Sequence, residues 1–398
     1  MANIIIYSFI ILCNICIIPF AFKIGNSNIL SPIGRFGRTF ISSIISKDMK
    51  LKSSGINSEQ SLQELKDNAV EINYSQSSKD VDKPRVIFVL GGPGAGKGTQ
   101  CEKLSYDLGM THLSAGELLR AERQSGSSNG QLIESYIKDG KIVPVKITLD
   151  CLRKAMEMTS SHRFLIDGFP RNFDNVQGWM THMTSVCDIE SVIFLDCPQE
   201  ELEKRLLHRG KTSGRTDDNI DSARKRFSTF HSETMPVVLH YEKEGLLVRV
   251  SGKQTREEVY AELRRNIEPF IVQDLLARTQ ELLDAISSND WSVYEHLCAS
   301  DISCFEKEAQ GHLATGLQFH KFYFTTQPSS LRTQSTISQP HVRIMGTSAV
   351  VSYSRLLQIE QTDGKKETKV FDETRVWQLI RGKWRNVHFH RHPVVDKA

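Results

Sequence analysis

The sequence has almost no net charge and no cysteine pattern that builds a metal site or a disulfide frame. Fifty Lys and Arg stand against 47 Asp and Glu, a formal charge of +3 in 398 residues. No basic block is dense enough to read as a nucleic-acid stripe, so no nucleic-acid partner is expected. Of eight Cys, Cys13 and Cys16 fall in an apolar leader. The other six, Cys101, Cys151, Cys187, Cys197, Cys298 and Cys304, form no CxxC pair and no Cys/His zinc spacing, which excludes a structural zinc and reads as a reduced, unstapled chain. Length allows two or three domains, each with its own buried core.

Ile4 to Phe22 is nearly continuous hydrophobe, interrupted by Asn14 and Pro19 and closed by the small Ala21. Residues 1–22 therefore read as a signal- or anchor-like leader, reaching a membrane only if uncleaved. Phe22 to Ser46 lacks Asp and Glu but carries Lys23, Arg35, Arg38 and several Ser, the character of a transit peptide. In series the two parts resemble the bipartite leaders of proteins sent to secondary plastids. That resemblance implies an organellar, plastid location, with cytoplasm or nucleus and the secretory pathway as alternatives. Lys47 to Lys83 is polar with Tyr74 as its only aromatic, too poor in apolar surface to fold alone. Residues 23–83 are read as a transit-like segment and disordered spacer.

From Pro84 to about Phe270, apolar strand-like runs alternate with helical patterns, predicting a parallel sheet covered by helices. Arg85 to Leu90 enters Gly91-Gly-Pro-Gly-Ala-Gly-Lys97-Gly-Thr99 and leaves with Cys101, Leu104 and Leu108 at helical spacing. A strand, a Gly-rich turn and a helix start aim backbone N–H groups and the positive helix end at one point, as a polyphosphate requires. An ordinary Gly-rich turn is the competing reading. The motif's usual Ser/Thr position holds Gly98, and the hydroxyl follows at Thr99.

GxPGxGKGT resembles the adenylate kinase-like nucleoside monophosphate kinases, and further segments follow that family in order: Thr111 to Arg120 as the start of the acceptor-nucleotide site, Leu165 to Arg171 as central strand and turn, Arg209 to Asp218 as a short lid. The resemblance implies that Gly94, Ala95, Gly96, Lys97, Gly98, Thr99, Arg209 and Gln254 bind ATP. It implies that Arg120, Lys141, Ile142, Val143, Gly168, Phe169, Pro170, Arg171, Asn175, Arg215 and Arg226 bind the monophosphate. Ser114-Ala115-Gly116-Glu117 replaces the Ser-Thr-Gly-Asp of adenylate-specific relatives, and Arg171 to Trp179 resembles the UMP/CMP kinase subfamily. ATP-dependent phosphorylation of UMP, CMP or dCMP is therefore expected; AMP specificity or a nucleotide-sensing scaffold without turnover are the alternatives.

The chemistry is consistent from the residues themselves. A monophosphate acceptor is already an anion, so the obstacle is repulsion between polyanions and the remedy is oriented positive charge, not a base. Lys97, Arg171, Arg209, Arg215 and Arg226 are the candidate catalytic cations, because the guanidinium fork grips phosphate bidentately. Gly210 and Gly214 bracket a segment that can fold over the phosphates and exclude water. Mg²⁺ would be held mainly by phosphates and water, with Thr99 and Asp167 as contributors; a turn or cap residue is the competing role for Asp167.

Residues 271–398 read differently. Ile271 to Ile286 forms an apolar helical stripe, and Asn289-Asp290 caps the next helix. Period-two alternation then predicts antiparallel strands near 340–345, 349–360, 367–380 and 383–392. Alternation groups Val351, Tyr353 and Arg355, then Glu373, Arg375 and Trp377, then Val387, Phe389 and Arg391. Arg355, Arg375 and Arg391 thus occupy interior positions and line either an anion cavity or ion pairs with carboxylates such as Glu373. His388, His390 and His392 share a face, where packing is favoured over metal binding. Gly311 to Phe324 and Glu373 to Arg391 resemble the calcium/calmodulin-dependent protein kinase II association domain, a nuclear transport factor 2-like cone that forms rings, implying a homo-oligomer. The whole chain is expected to be an α/β P-loop parallel-sheet kinase domain with a short lid over 84–270, then an α+β cone-shaped antiparallel-sheet domain.

Overall fold

The computed structural model describes residues 83–211, 220–326 and 332–394. The leader, the spacer before Lys83, and lid residues 212–219 with Arg215 lie outside them. The first unit runs β1 (Arg85–Gly91), α1 (Lys97–Leu108), β2 (Thr111–Ser114), α2 (Ala115–Gln124), α3 (Gly130–Lys138), α4 (Val145–Glu157), β3 (Arg163–Asp167), α5 (Phe173–His182), β4 (Asp188–Asp196), α6 (Gln199–Gly210), α7 (Ile220–Thr229), α8 (Met235–Lys243) and β5 (Leu247–Ser251).

Its sheet is parallel, in the order β2-β3-β1-β4-β5. Helices cover both faces, so β1 is an unbroken apolar run with Val86 to Leu90 all buried. Alternate side chains leave to opposite sides. Ile87 and Val89 join Cys101, Leu104 and Leu108 of α1, while Phe88 meets Trp179 edge-on at a centroid distance of 4.9 Å and Phe169 at 5.8 Å. Burying each such aromatic is worth about 1.5–3 kcal/mol. β3 and β4 flank β1 on opposite sides, so the winding reverses there and a crevice opens beyond its carboxyl end, where the glycine loop begins.

α9 (Arg256–Ser288) follows β5. It opens on a capping box: Thr255 Oγ1 accepts from Glu258 N–H, and the Glu258 carboxylate accepts from Thr255 N–H. Pro269 lies inside it, yet the helix continues through 270 and 271 into the second unit. Asn289 ends α9 in a left-handed conformation, and Asp290 caps α10 (Trp291–Leu297) by accepting from Val293 N–H at 3.1 Å. β6 (Cys298–Phe305), β7 (Ala314–Thr315), α11 (Leu317–Thr326), β8 (Arg332–Met345), β9 (Ser348–Glu360), β10 (Lys366–Ile380) and β11 (Lys383–Pro393) complete the second unit.

Its sheet has the order β7-β6-β11-β10-β9-β8 and is mostly antiparallel, with β6, which is not among the expected strands, pairing parallel with β11. One expectation is corrected. Val387 does not share the buried face with Phe389, because the β10–β11 register slips between Val376 and Trp377. Trp384 and Asn386 point inward before that bulge and Phe389 after it. Among the described residues no helix is long and apolar enough to cross a membrane.

Candidate active site

The loop from Gly91 to Gly96 joins β1 to α1, which starts at Lys97. Gly94 has φ +87°, and a Cβ there would lie 2.6 Å from Leu202 O on α6, so glycine lets α6 pack on the loop. Arg209 is in the last turn of this helix. Lys97 folds back on the loop, its ammonium donating to Gly91 O at 2.8 Å and Gly92 O at 3.1 Å. Burial lowers its pKa to about 8; Asp167 opposes that shift, and Arg171 and Arg226 reinforce it.

Asp167 ends β3 beside the loop and is buried. Burial opposes its ionisation, but the neighbouring His112 ring and the charges of Lys97 and Arg171 prevail and hold the carboxyl below its ordinary range. The His112 ring stands 3.5 Å from Asp167 Oδ2. Thr99 is exposed in the first turn of α1. An ionised carboxylate and a hydroxyl at the loop are hard oxygen donors, which fits Mg²⁺.

Two adjoining pockets occupy the crevice. One is lined by Leu90, Gly91, Pro93 and Lys97 on the loop side. The other is lined by Arg120, Lys141, Ile142, Val143, Gly168, Phe169 and Asn175. Arg171 and Arg226 line both. Arg171 is held by Nε donating to Gly168 O at 2.8 Å and by Thr234 Oγ1 donating to its carbonyl at 2.8 Å. Arg120 forms a two-pronged pair with Glu117, at 2.6 and 3.1 Å. Lys141 pairs with Asp139 at 3.1 Å.

Asn175 is buried at the head of α5, its N–H donating to the cap Asn172 Oδ1 and its Oδ1 accepting from Arg171 N–H at 3.1 Å. Its acceptor is therefore committed, and its amide donor is the group left for a ligand. The side chain is thus not free to swap donor and acceptor.

Arg209 and the exposed Gln254, on the turn after β5, line neither pocket, and Pro170 is buried behind the acceptor pocket. His112 carries no local signal of this role, although it lies within Thr111 to Arg120. Thr234 likewise escapes the sequence, since it sits in a π-helical turn (Phe230–Thr234) between α7 and α8, an irregularity without a composition signal.

Residues 89–246 match the family described as adenylate kinase, and residues 272–395 match the calcium/calmodulin dependent protein kinase II association domain. The UMP-CMP kinase of Danio rerio is 53% identical over 192 residues, covering 47% of this chain and 98% of the relative. The chain belongs to the UMP-CMP kinase family. The Homo sapiens UMP-CMP kinase is 50% identical over 187 residues, 46% of this chain and 95% of its own length. A solved structure described as the association domain of C. elegans CaMKII is 40% identical, covers 31% of this chain and 96% of its own, with a TM-score of 0.30.

Beyond the UMP-CMP kinase-family unit, the three arginines of the second unit divide. Arg375 and Arg355 converge on Glu373, at 2.9 and 3.3 Å, and Tyr353 donates its hydroxyl to the same carboxylate at 2.6 Å. Arg391 turns instead to Glu306 and Glu308, at 3.0 and 2.6 Å. The chain thus supplies carboxylates to all three guanidinium groups. Phe305 packs edge-on against the rings of His388 and His390, and His388 Nδ1 is hydrogen-bonded to Ser303 at 2.8 Å.

Proposed function

We propose that the chain transfers the γ-phosphoryl group of ATP to UMP or CMP, giving ADP and the pyrimidine diphosphate. The observation that carries this reading is that Arg171 and Arg226 line both the phosphate-loop pocket and the acceptor pocket. Guanidinium groups placed there reduce the repulsion between donor and acceptor phosphates without a general base. A phosphate oxygen of the monophosphate forms the new bond to the γ-phosphorus, and the bond to the β,γ-bridging oxygen breaks with its electrons going to ADP.

Lys97 orients the donor phosphates by leaving the carbonyls of Gly91 and Gly92 for phosphate oxygens. Mg²⁺, when bound, would screen the donor's charge, with Asp167 and Thr99 as the chain's own oxygens near it. The amide donor of Asn175 suits an acceptor on the base edge: O4 of uracil or, beside it, N3 of cytosine. One committed donor thereby accommodates both pyrimidines.

The second unit supports assembly of several chains through the hub, and the acid-poor segment after the leader supports an organellar, plastid destination. A fluorescent protein fused to residues 1–83 should reach plastids; secretion or a cytoplasmic signal would refute that destination. For the enzyme, purified chain with ATP and UMP should form ADP, and Lys97→Met should reduce turnover by about 10²–10³-fold, the cost of losing one oriented donor. Turnover with AMP alone would point to adenylate specificity, and tight binding without turnover to a sensor.

A further inference from the structure

α9 is shared by both units. Its Val259, Leu263 and Ile267 enter one core with Leu104 and Leu108 of α1, and its Leu275, Leu282 and Leu283 enter the same core with Ile337, Ile344 and Trp377 of the hub sheet. Gln100 on α1 donates to Arg256 O at 3.0 Å, and the Tyr260 hydroxyl bonds to Asp107. The hub also reaches α1 directly. Gly346, in the β8–β9 turn, donates its N–H to Asp107 O at 3.0 Å, and a Cβ on Gly109 would meet Leu379 at 2.8 Å and Gly346 O at 2.7 Å. In the β10–β11 turn, a Cβ on Gly382 would fall 1.2 Å from Ser160 O, in the loop leading to β3. Arg163, at the start of β3, stands 3.8 Å from Asp274 on α9.

α1 begins at the phosphate-binding lysine and β3 ends at Asp167, so the hub's turns rest on the far ends of the two elements that carry the donor site. We propose that the hub is a mount for the phosphate-loop helix: its β8–β9 and β10–β11 turns dock on the ends of α1 and β3 away from the site, and ATP binding and hub docking stabilise one another. The coupling arm rests on the reading of the glycine loop as the ATP site; the docking arm does not. Linkage makes the effect reciprocal.

The test is hydrogen exchange of the Gly346 amide in the full chain, a hub group protected by a kinase carbonyl. Gly382→Ala introduces the clash with Ser160, and Gly364→Ala is the matched control, since Gly364 has a similar φ (+82° against +73°) with nothing within 4 Å of its Cβ. Gly382→Ala should speed Gly346 exchange about fivefold, the worth of one net hydrogen bond, while Gly364→Ala leaves it unchanged. Leu379→Ala, which removes the contact with Gly109 without backbone strain, should act as Gly382→Ala does and serves if that variant fails to fold. MgATP should slow Gly346 exchange in the unaltered chain and lose that effect in Gly382→Ala or Leu379→Ala. Unchanged protection in both docking variants overturns the mount. ATP shown by calorimetry to bind, yet without effect on Gly346, overturns the coupling; ATP that does not bind overturns the coupling together with the donor-site reading.

Discussion

Replacing Glu373 by Gln removes one charge from the most enclosed ionic group in the hub. Its side chain is 0% exposed, and those of Arg355 and Arg375 are 3% and 2% exposed. Gln keeps the shape but leaves two buried guanidinium groups without their shared anion. Breaking a buried pair from one side costs about 3–5 kcal/mol. At about 4–8 °C per kcal/mol for a unit of this size, the hub's thermal transition should fall by at least about 10 °C.

Acid adds a second readout. Burial works against ionisation of Glu373, but Arg375, Arg355 and the Tyr353 hydroxyl outweigh it and lower its pKa from 4.5 to about 2. A folded-state value below the unfolded one stabilises above pH 4.5 and is lost as pH falls toward 2, worth about 3 kcal/mol at 1.36 kcal/mol per unit. His320 is lowered from 6.5 to about 4 by burial, and then by the charge of Arg375, so its contribution is lost earlier, between pH 6.5 and 4. Thermal unfolding of the full chain from pH 7 to 3, followed by circular dichroism, should show both losses, and Glu373→Gln should keep the upper one and shrink the lower one to what carboxyls such as Asp167 contribute. A Gln variant within about 1 kcal/mol of the unaltered chain, or one that retains the lower loss in full, refutes the reasoning.

Arg171→Lys and Arg226→Lys each keep a charge but lose the planar fork; each should lower kcat/KM for UMP by about 10–100-fold, and steady-state kinetics showing less than about threefold would remove them from the phosphate path. Asn175→Asp keeps the acceptor for Arg171 N–H and replaces the amide donor by a carboxylate oxygen, which repels O4 of uracil but can accept from the amino group of cytosine, so the CMP-to-UMP ratio of kcat/KM should rise by about tenfold or more; a constant ratio in a two-substrate assay contradicts the base assignment. Gly94→Ala places a methyl 2.6 Å from Leu202 O at a positive φ, and calorimetry should find ATP bound at least about tenfold more weakly, with equal affinity counting against the role of the loop.

What the sequence revealed and what it hid follow from distance along the chain. The phosphate loop is contiguous from Gly91 to Thr99, and Arg171 lies four residues after Asp167, so strand, turn and helix signals coincide and the donor site is legible. The parallel sheet is legible for the same reason, since Val86 to Leu90 is apolar without alternation. His112 was hidden because its partner Asp167 is 55 positions away, and its role depends on β2 lying beside β3. β6 was hidden because its partner β11 is some 85 positions on. The Val387 bulge shifts the face of one strand midway, which no periodic template captures. Pro269 reads as a helix breaker, yet packing on both of its sides carries α9 through it.

α1 is 12 residues long, about 18 Å at 1.5 Å per residue. One end grips the glycine loop and the other meets the hub. The glycine loop and the turns of the second unit therefore stand about one helix length apart, so one rigid rod serves a different neighbour at each end.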